Sequence, residues 1–226
     1  MMTQAQTGMD MQLARFNMME QQIRPWDVLD QNVLDAIEDT PRELFVPPEF
    51  HNLAYADIRI PIGHDQVMLE PKIDARLIQE LRITKLDRIL EIGTGTGYTT
   101  ALLARLGLHV TSVDYFSDFL DQAAFRLKSI GLDNVQLVQG DASKGWKADD
   151  FSFDVIFISG YMPKLQKGYK NIMNRGGRLV YFSGEKPVMS AVLVERCDID
   201  SWHSEALFES EVPALIHCEP EKRFIF

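Results

Sequence analysis

Cysteine is scarce, with two residues at positions 197 and 218, and neither belongs to a C-x-x-C pair or to a Cys/His cluster at zinc spacing. This argues against a disulfide framework and a structural zinc, and both thiols are expected to be free and buried. His203 and His217 stand too far from other ligand types to suggest a metal site. Long apolar runs are also missing. No segment approaches the length of a membrane span, and Met1 to Asp10 lacks the charged start and apolar centre of a secretory signal. Positive charge is in deficit, with 23 Lys and Arg against 33 Asp and Glu and a formal net charge of -10. Nucleic acid and anionic membranes need a basic face and are therefore not expected partners. The expected compartment is cytoplasmic.

What is present is ordinary globular composition, 46% hydrophobic and 25% charged over 226 residues, enough for one domain with a substantial core. Met1 to Gly8 reads as a loose tail. Leu13, Phe16, Met19 and Ile23 recur at helical steps until Pro25. Asp27 is then placed to cap a second helix carrying Val28, Val33, Leu34 and Ile37. The segment P-R-E-L-F-V-P-P, Pro41 to Pro48, is bounded by prolines and looks buried at Leu44, Phe45 and Val46. Ala54 to Pro71 alternates like a strand but has too many prolines and polar residues for the centre of a sheet, so it reads as a lid or edge hairpin.

From Asp87 the pattern changes. Short apolar strands (Ile89 to Ile92, His109 to Asp114, Val135 to Val138, Phe153 to Ser159, Gly176 to Phe182) alternate with helical stretches. Such alternation predicts parallel pairing with right-handed crossovers. Pro187 to Phe226 alternates more like antiparallel strands. The expected fold is therefore α/β: a doubly wound, mostly parallel Rossmann-like sheet with N-terminal helices and an antiparallel C-terminal edge. One domain is expected over 1–226, with a helical and lid subdomain at about 11–82 and a ligand-binding core at about 83–226.

Between the first strand and its helix lies E-I-G-T-G-T-G-Y, Glu91 to Tyr98. Glycines at such a junction admit positive φ and close approach of a ligand to the backbone, and the helix start offers free N–H groups. The spacing G-x-G-x-G is one residue short of the dinucleotide fingerprint, and Glu91 would repel a phosphate. Asp114 closes the second strand roughly 20 residues on, where an acidic side chain reaches ribose hydroxyls. Asp141 closes the third strand and can accept from an adenine amino group. Each also has a reading as a helix or turn cap. After the fourth strand, Ser159, Gly160 and Tyr161 lie beside a bound ligand, where a small residue leaves room, and Tyr161 reads equally as a surface aromatic.

The glycine motif resembles the first motif of S-adenosylmethionine-dependent methyltransferases. More specifically, P-R-E-L-F-V-P, A-Y-A-D-I-R-I-P-I-G, E-I-G-T-G-T-G-Y, N-V-Q-L-V-Q-G-D and G-G-R-L-V follow the order and spacing of protein-L-isoaspartate (D-aspartate) O-methyltransferases, from about Arg15 to Gly184. The resemblance implies S-adenosyl-L-methionine as cofactor and, as substrate, the carboxylate of isoaspartyl residues in damaged proteins, a repair activity. It implies a cofactor-binding set of Glu91, Gly93, Thr94, Gly95, Gly97, Asp114, Asp141, Ala142 and Ser159, with Gln66 and Leu69 on the acceptor side. The chain departs from the family's P-I-G-x-G-Q-T-I-S-x-P in reading P-I-G-H-D-Q-V-M-L-E-P. Asp65 replaces a glycine, Val67 a threonine and Leu69 a serine, so two hydroxyl donors are lost. Two alternatives stay open: a related methyltransferase for another small acceptor, for which His64 is the nearest base, and a cofactor-binding protein without isoaspartyl activity.

Overall fold

The computed structural model describes residues 4–147, 152–185 and 188–218. The helical start is longer than its apolar spacing suggests. Helix α1 spans Gln4–Met18 and so already includes residues expected in a loose tail. It passes into a widened turn at Met19–Ile23 and ends in a tight turn at Arg24–Trp26, where Pro25 has no N–H to continue the ladder. Asp27 does not cap the next helix: it sits at φ 58, and its carbonyl accepts from Gln79 Nε2 at 2.8 Å. The cap of α2 (Gln31–Glu38) is Asp30, whose carboxylate accepts from Asn32 N at 2.8 Å.

Strands β1 (Ile60–Gly63) and β2 (Gln66–Met68) form a separate antiparallel hairpin, pairing Ile60 with Met68 and Pro61 with Val67. His64 and Asp65 make its two-residue turn with φ of 51° and 55°, the left-handed pair that such a turn requires. Helix α3 (Pro71–Glu80) follows and returns the chain to the main sheet.

Beyond it the elements alternate: β3 (Arg88–Ile92), α4 (Tyr98–Leu106), β4 (His109–Asp114), α5 (Ser117–Ser129), β5 (Val135–Gln139), β6 (Phe153–Tyr161), α6 (Lys167–Asn171) and β7 (Met173–Glu185). Strands β8 (Val188–Arg196) and β9 (Trp202–Glu209) complete one seven-stranded sheet in the order β5-β4-β3-β6-β7-β8-β9. The first five strands in this order are parallel, and β8 and β9 are antiparallel, as expected for the C-terminal edge. The closing segment E-K-R-F-I-F lies outside the described residues.

Alternation along the central strands divides the core. Ile89, Val110, Val155 and Phe157 face α4, α5 and the N-terminal helices, while Leu90, Ile92, Ile156 and Ile158 pack on the side of Tyr169 from α6. The segment around Pro41 buries Phe45 and Val46 but leaves Leu44 47% exposed, and Arg42 is fully buried beside them. Of the two cysteines, Cys218 is buried and Cys197 is exposed, contrary to the expectation that both are buried. No helix among the described residues is long and apolar enough to cross a membrane.

Candidate functional site

The strand order reverses between β3 and β6, and a crevice opens at the carboxyl ends of these two strands. Their register pairs Ile92 with Ile158, which sets the next residues, Gly93 and Ser159, side by side. Gly93 has φ 95°, and a β-carbon there would lie 2.0 Å from Ser159 Oγ. That hydroxyl donates to the carbonyls of Ile92 and Gly93 at 3.0 and 3.3 Å, tying the glycine loop to β6. Gly97 meets a different constraint. At φ 86° it begins α4, and a β-carbon there would lie 2.9 Å from Ala123 Cβ on α5, so its smallness serves helix packing.

Glu91 lies beneath this loop and does not reach the crevice. In the parallel register it is paired with Ser112, and both side chains point toward α4. Ser112 Oγ and Thr100 Oγ1 donate to Glu91 Oε2 at 2.6 and 2.5 Å, and Thr94 Oγ1 extends the chain to Ser112 Oγ at 2.6 Å. Glu91 is fully buried and its Oε1 has no hydrogen-bond partner among the described residues. Burial pushes its pKa up to about 8 from an ordinary 4.5, against the pull of the Ser112 and Thr100 hydroxyls. Glu91, Thr94 and Gly97 thus fix the shape of the loop from below and from behind.

The crevice is an open cleft, with about 720 Å³ of space counting the solvent at its mouth. Gly93, Gly95, Asp114, Asp141, Ala142 and Ser159 line it, so six of the nine residues assigned to cofactor binding meet there. Asp114 is held on both oxygens: Oδ2 accepts from Gly95 N at 2.9 Å and Oδ1 from Phe116 N at 3.0 Å. Each oxygen keeps a second lone pair for a ligand hydroxyl. Desolvation raises the Asp114 pKa, opposed by the amides of Gly95, Phe116 and Tyr115. Asp141 behaves oppositely. Its Oδ1 accepts from Ser143 N at 2.9 Å, and these contacts with Ser143, aided by His217, hold its pKa down at about 2.

The hairpin supplies the opposite wall through Ile62, Gln66, Val67 and Leu69. Gln66 lines the cavity, and its Nε2 donates to the carbonyl of His64 at 3.3 Å. Leu69 is buried, and its carbonyl accepts from Arg42 Nη2 at 2.5 Å. Arg42 also donates to Ala54 O at 2.9 Å, lies 3.6 Å from Asp74 Oδ2 and stacks on Tyr98 at 4.6 Å. One guanidinium therefore joins the end of the hairpin, α3 and the start of α4. Burial raises the Asp74 pKa to about 6 in spite of Arg42 and the Thr99 hydroxyl.

Two residues singled out in the sequence lie elsewhere. His64 stacks on Phe116 with ring centroids 3.9 Å apart and contacts Asp118 at 3.1 Å, outside the cavity lining. Tyr161 is buried and donates to Gly184 O at 2.9 Å, so only Ser159 and Gly160 of that trio face the cavity. The sequence reading missed Arg42, the aromatic wall of Tyr115, Phe116 and Phe119, and the C-terminal residues Pro213, Leu215 and Ile216. A charged residue in a three-residue turn carries no periodic signal, and the C-terminal wall is assembled by tertiary contact alone.

Two carboxylates and backbone amides without a Lys or Arg among the described lining residues suit a ligand with hydroxyl, amino and cationic groups, and disfavour a pyrophosphate. Comparison with known proteins agrees. Residues 14–204 match the family described as protein-L-isoaspartate(D-aspartate) O-methyltransferase. The chain is 36% identical over 203 residues to protein-L-isoaspartate O-methyltransferase 1 of Rhodopseudomonas palustris, covering 89% of this chain and 82% of that one. It is 37% identical over 183 residues to protein-L-isoaspartate O-methyltransferase of Methanoculleus marisnigri, covering 80% and 83%. In fold it is similar to a Plasmodium falciparum structure described as a protein-L-isoaspartate O-methyltransferase in complex with S-adenosyl-L-homocysteine. There the TM-score is 0.75 at 16% identity, over 91% of this chain and 97% of that one.

Proposed function

The chain belongs to the protein-L-isoaspartate(D-aspartate) O-methyltransferase family, and we propose that its switch-point cavity joins S-adenosyl-L-methionine to the carboxylate of an isoaspartyl residue in a damaged protein. It is an S-adenosylmethionine-dependent protein carboxyl methyltransferase. The observation that carries the assignment is the shared cavity: the hairpin residues Gln66, Val67 and Leu69 face Gly93, Asp114 and Ser159 across one space.

The residues present fit the cofactor. The cavity is lined by polar strand-end residues on one side and apolar hairpin residues on the other, and the absence of a side chain at Gly93 lets a ligand lie against backbone. In the proposed arrangement Asp114 accepts from the ribose hydroxyls, Asp141 and the Ala142 backbone flank the adenine, and Ser159 and Gly160 leave space beside the reacting centre. When bound, the cofactor supplies an electrophilic sulfonium methyl group. The chain's task is alignment, since a carboxylate acceptor is already ionised near neutral pH and needs no general base. Enforced proximity of this kind can supply about 7–11 kcal/mol. Gln66 is the side-chain amide on the hairpin wall that can donate to the acceptor carboxylate, and Leu69 contributes shape without a hydrogen bond.

A second reading rests on that last point. Val67 and Leu69 offer no hydroxyl, and a site that lacks an expected donor discriminates poorly for a charged acceptor. It predicts methylation of another small acceptor by the same cavity. Two measurements separate the readings. Calorimetry with S-adenosylhomocysteine should show binding that weakens about tenfold or more in Asp114→Ala, the loss of a hydrogen bond to a charged group. Mass spectrometry of paired isoaspartyl and aspartyl peptides should then show one added methyl group on the isoaspartyl peptide alone. Cofactor binding with neither peptide modified would favour the second reading, and no binding would remove both.

A further inference from the structure

One wall of the cavity is built by a segment outside the glycine and strand-end motifs. After β9 the chain returns across the carboxyl ends of the strands and is fastened to β6: Tyr161 N donates to Pro213 O at 2.9 Å, and Leu215 N donates to Tyr161 O at 3.0 Å. The fit is close, because a β-carbon on Gly160 would lie 2.8 Å from Leu215 Cδ2. Pro213, Leu215 and Ile216 thereby face the cavity. The next residue, His217, turns at φ 63° and brings its Nδ1 to 2.9 Å from Asp141 Oδ2. Tyr115, itself a lining residue, sets its ring edge-on to the imidazole with centroids 5.4 Å apart.

Asp141 is therefore gripped from two sides, by Ser143 N on Oδ1 and by His217 on Oδ2. Its side chain is 43% exposed on a loop, where the contacts with Ser143 come from one side of the turn and His217 supplies the contact from the other. The second contact fixes the plane of the carboxylate, and the remaining lone pairs are then presented to the cavity that Asp141 lines. We propose that His217 is a positioning residue for cofactor recognition, holding Asp141 as the acceptor for the amino group of the purine. The inference rests on the cofactor reading above and adds a residue and a specificity to it.

The test is a comparison of two ligands across four proteins. S-adenosylhomocysteine and its analogue with hydrogen in place of the purine amino group are titrated by calorimetry into the wild type, Asp141→Ala, His217→Ala and His217→Gln. The wild type should prefer the amino-bearing ligand by about tenfold, the scale of a hydrogen bond to a charged acceptor, and Asp141→Ala should lose that preference. His217→Ala should reduce the preference by about threefold, since exposed contacts are modest, and His217→Gln should restore it through its amide donor. An unchanged preference in folded His217→Ala overturns the proposal. Equal weakening of both ligands also overturns it, because that would make His217 only a fastening for the wall. Failure of the wild type to bind S-adenosylhomocysteine would instead remove the cofactor reading, and this inference with it.

Discussion

Gly93 and Ser159 stand at neighbouring strand ends so closely that a β-carbon on the glycine would lie 2.0 Å from the serine hydroxyl oxygen. The glycine loop and β6 are thus closely fitted to each other. Gly93→Ala should lower stability by about 1–3 kcal/mol from overpacking, with further strain from its φ of 95°, and should abolish measurable binding of S-adenosylhomocysteine. Adding Ser159→Gly removes the clashing atom and should recover part of both losses. Denaturant titration and calorimetry on the single and double variants check this; a single variant that binds as the wild type does would mean the loop moves freely.

Glu91 makes stability depend on pH with a defined sign. Its pKa rises from 4.5 in the unfolded chain to about 8 in the fold, so the folded state holds its proton where the unfolded state has lost it. The stability tied to this group is fully present below pH 4.5 and is lost as pH rises to about 8, a total of the order of several kcal/mol. Glu91→Gln keeps an acceptor for Thr100 and Ser112 but cannot ionise. The wild type should therefore lose Tm relative to this variant between pH 6 and pH 8, and the difference should level off above about pH 8. Parallel Tm curves for the two proteins over that range would show that Glu91 does not titrate there.

Arg42 is buried with Asp74, and breaking such a pair leaves one charge without its partner. Arg42→Met should destabilise by about 3–5 kcal/mol. The double variant Arg42→Met with Asp74→Leu should be more stable than the single one, because the orphan carboxylate is gone. It should stay below the wild type, since the carbonyls of Ala54 and Leu69 lose their donor. Urea unfolding orders the three proteins; a single variant as stable as the double one would show that the pair is not energetically coupled.

The hairpin wall offers a test of acceptor preference. Asp65 already occupies a left-handed turn position at φ 55°, so Asp65→Gly is compatible with the backbone. Val67 lines the cavity and is only half-buried, so Val67→Thr can place a hydroxyl there at small cost. Leu69 is buried against the core, and Leu69→Ser should cost about 2–5 kcal/mol, as truncations of buried leucine do. The Asp65→Gly, Val67→Thr protein should gain kcat/KM on isoaspartyl peptide with S-adenosylhomocysteine affinity within a few fold of the wild type. No gain in a folded, cofactor-binding variant would place position 67 away from the acceptor.

The parts of the fold that repeat were legible in the sequence, because β3 and β6 carry apolar runs set by burial on both faces, and β4 and the half-exposed edge strand β5 follow in the same strand-helix alternation. The strand ends were legible too, which is why Asp114, Asp141 and Ser159 could be placed at one crevice. What could not be read was the direction of individual side chains at the loop. Glu91 sits one residue from the crevice, yet its strand parity turns it toward Ser112 and Thr100 instead. Asp27 and Asp30 are both plausible caps by type, and only the backbone turn at Asp27 selects the second. The anchoring of the hairpin by Arg42 and the wall made by Pro213, Leu215 and Ile216 depend on contacts between distant segments, for which a local pattern holds no signal.

The most direct measurement follows the methyl group itself. The wild-type protein is incubated with S-adenosylmethionine labelled in the methyl carbon and an isoaspartyl peptide, and the product is then treated with mild base. If the cavity holds cofactor and acceptor carboxylate together, label enters the isoaspartyl peptide, is absent from the aspartyl control and is released by base as methanol, because the bond formed is a methyl ester. Label that resists base, or none on the isoaspartyl peptide while S-adenosylhomocysteine still binds, would contradict carboxylate methylation as the activity of this site.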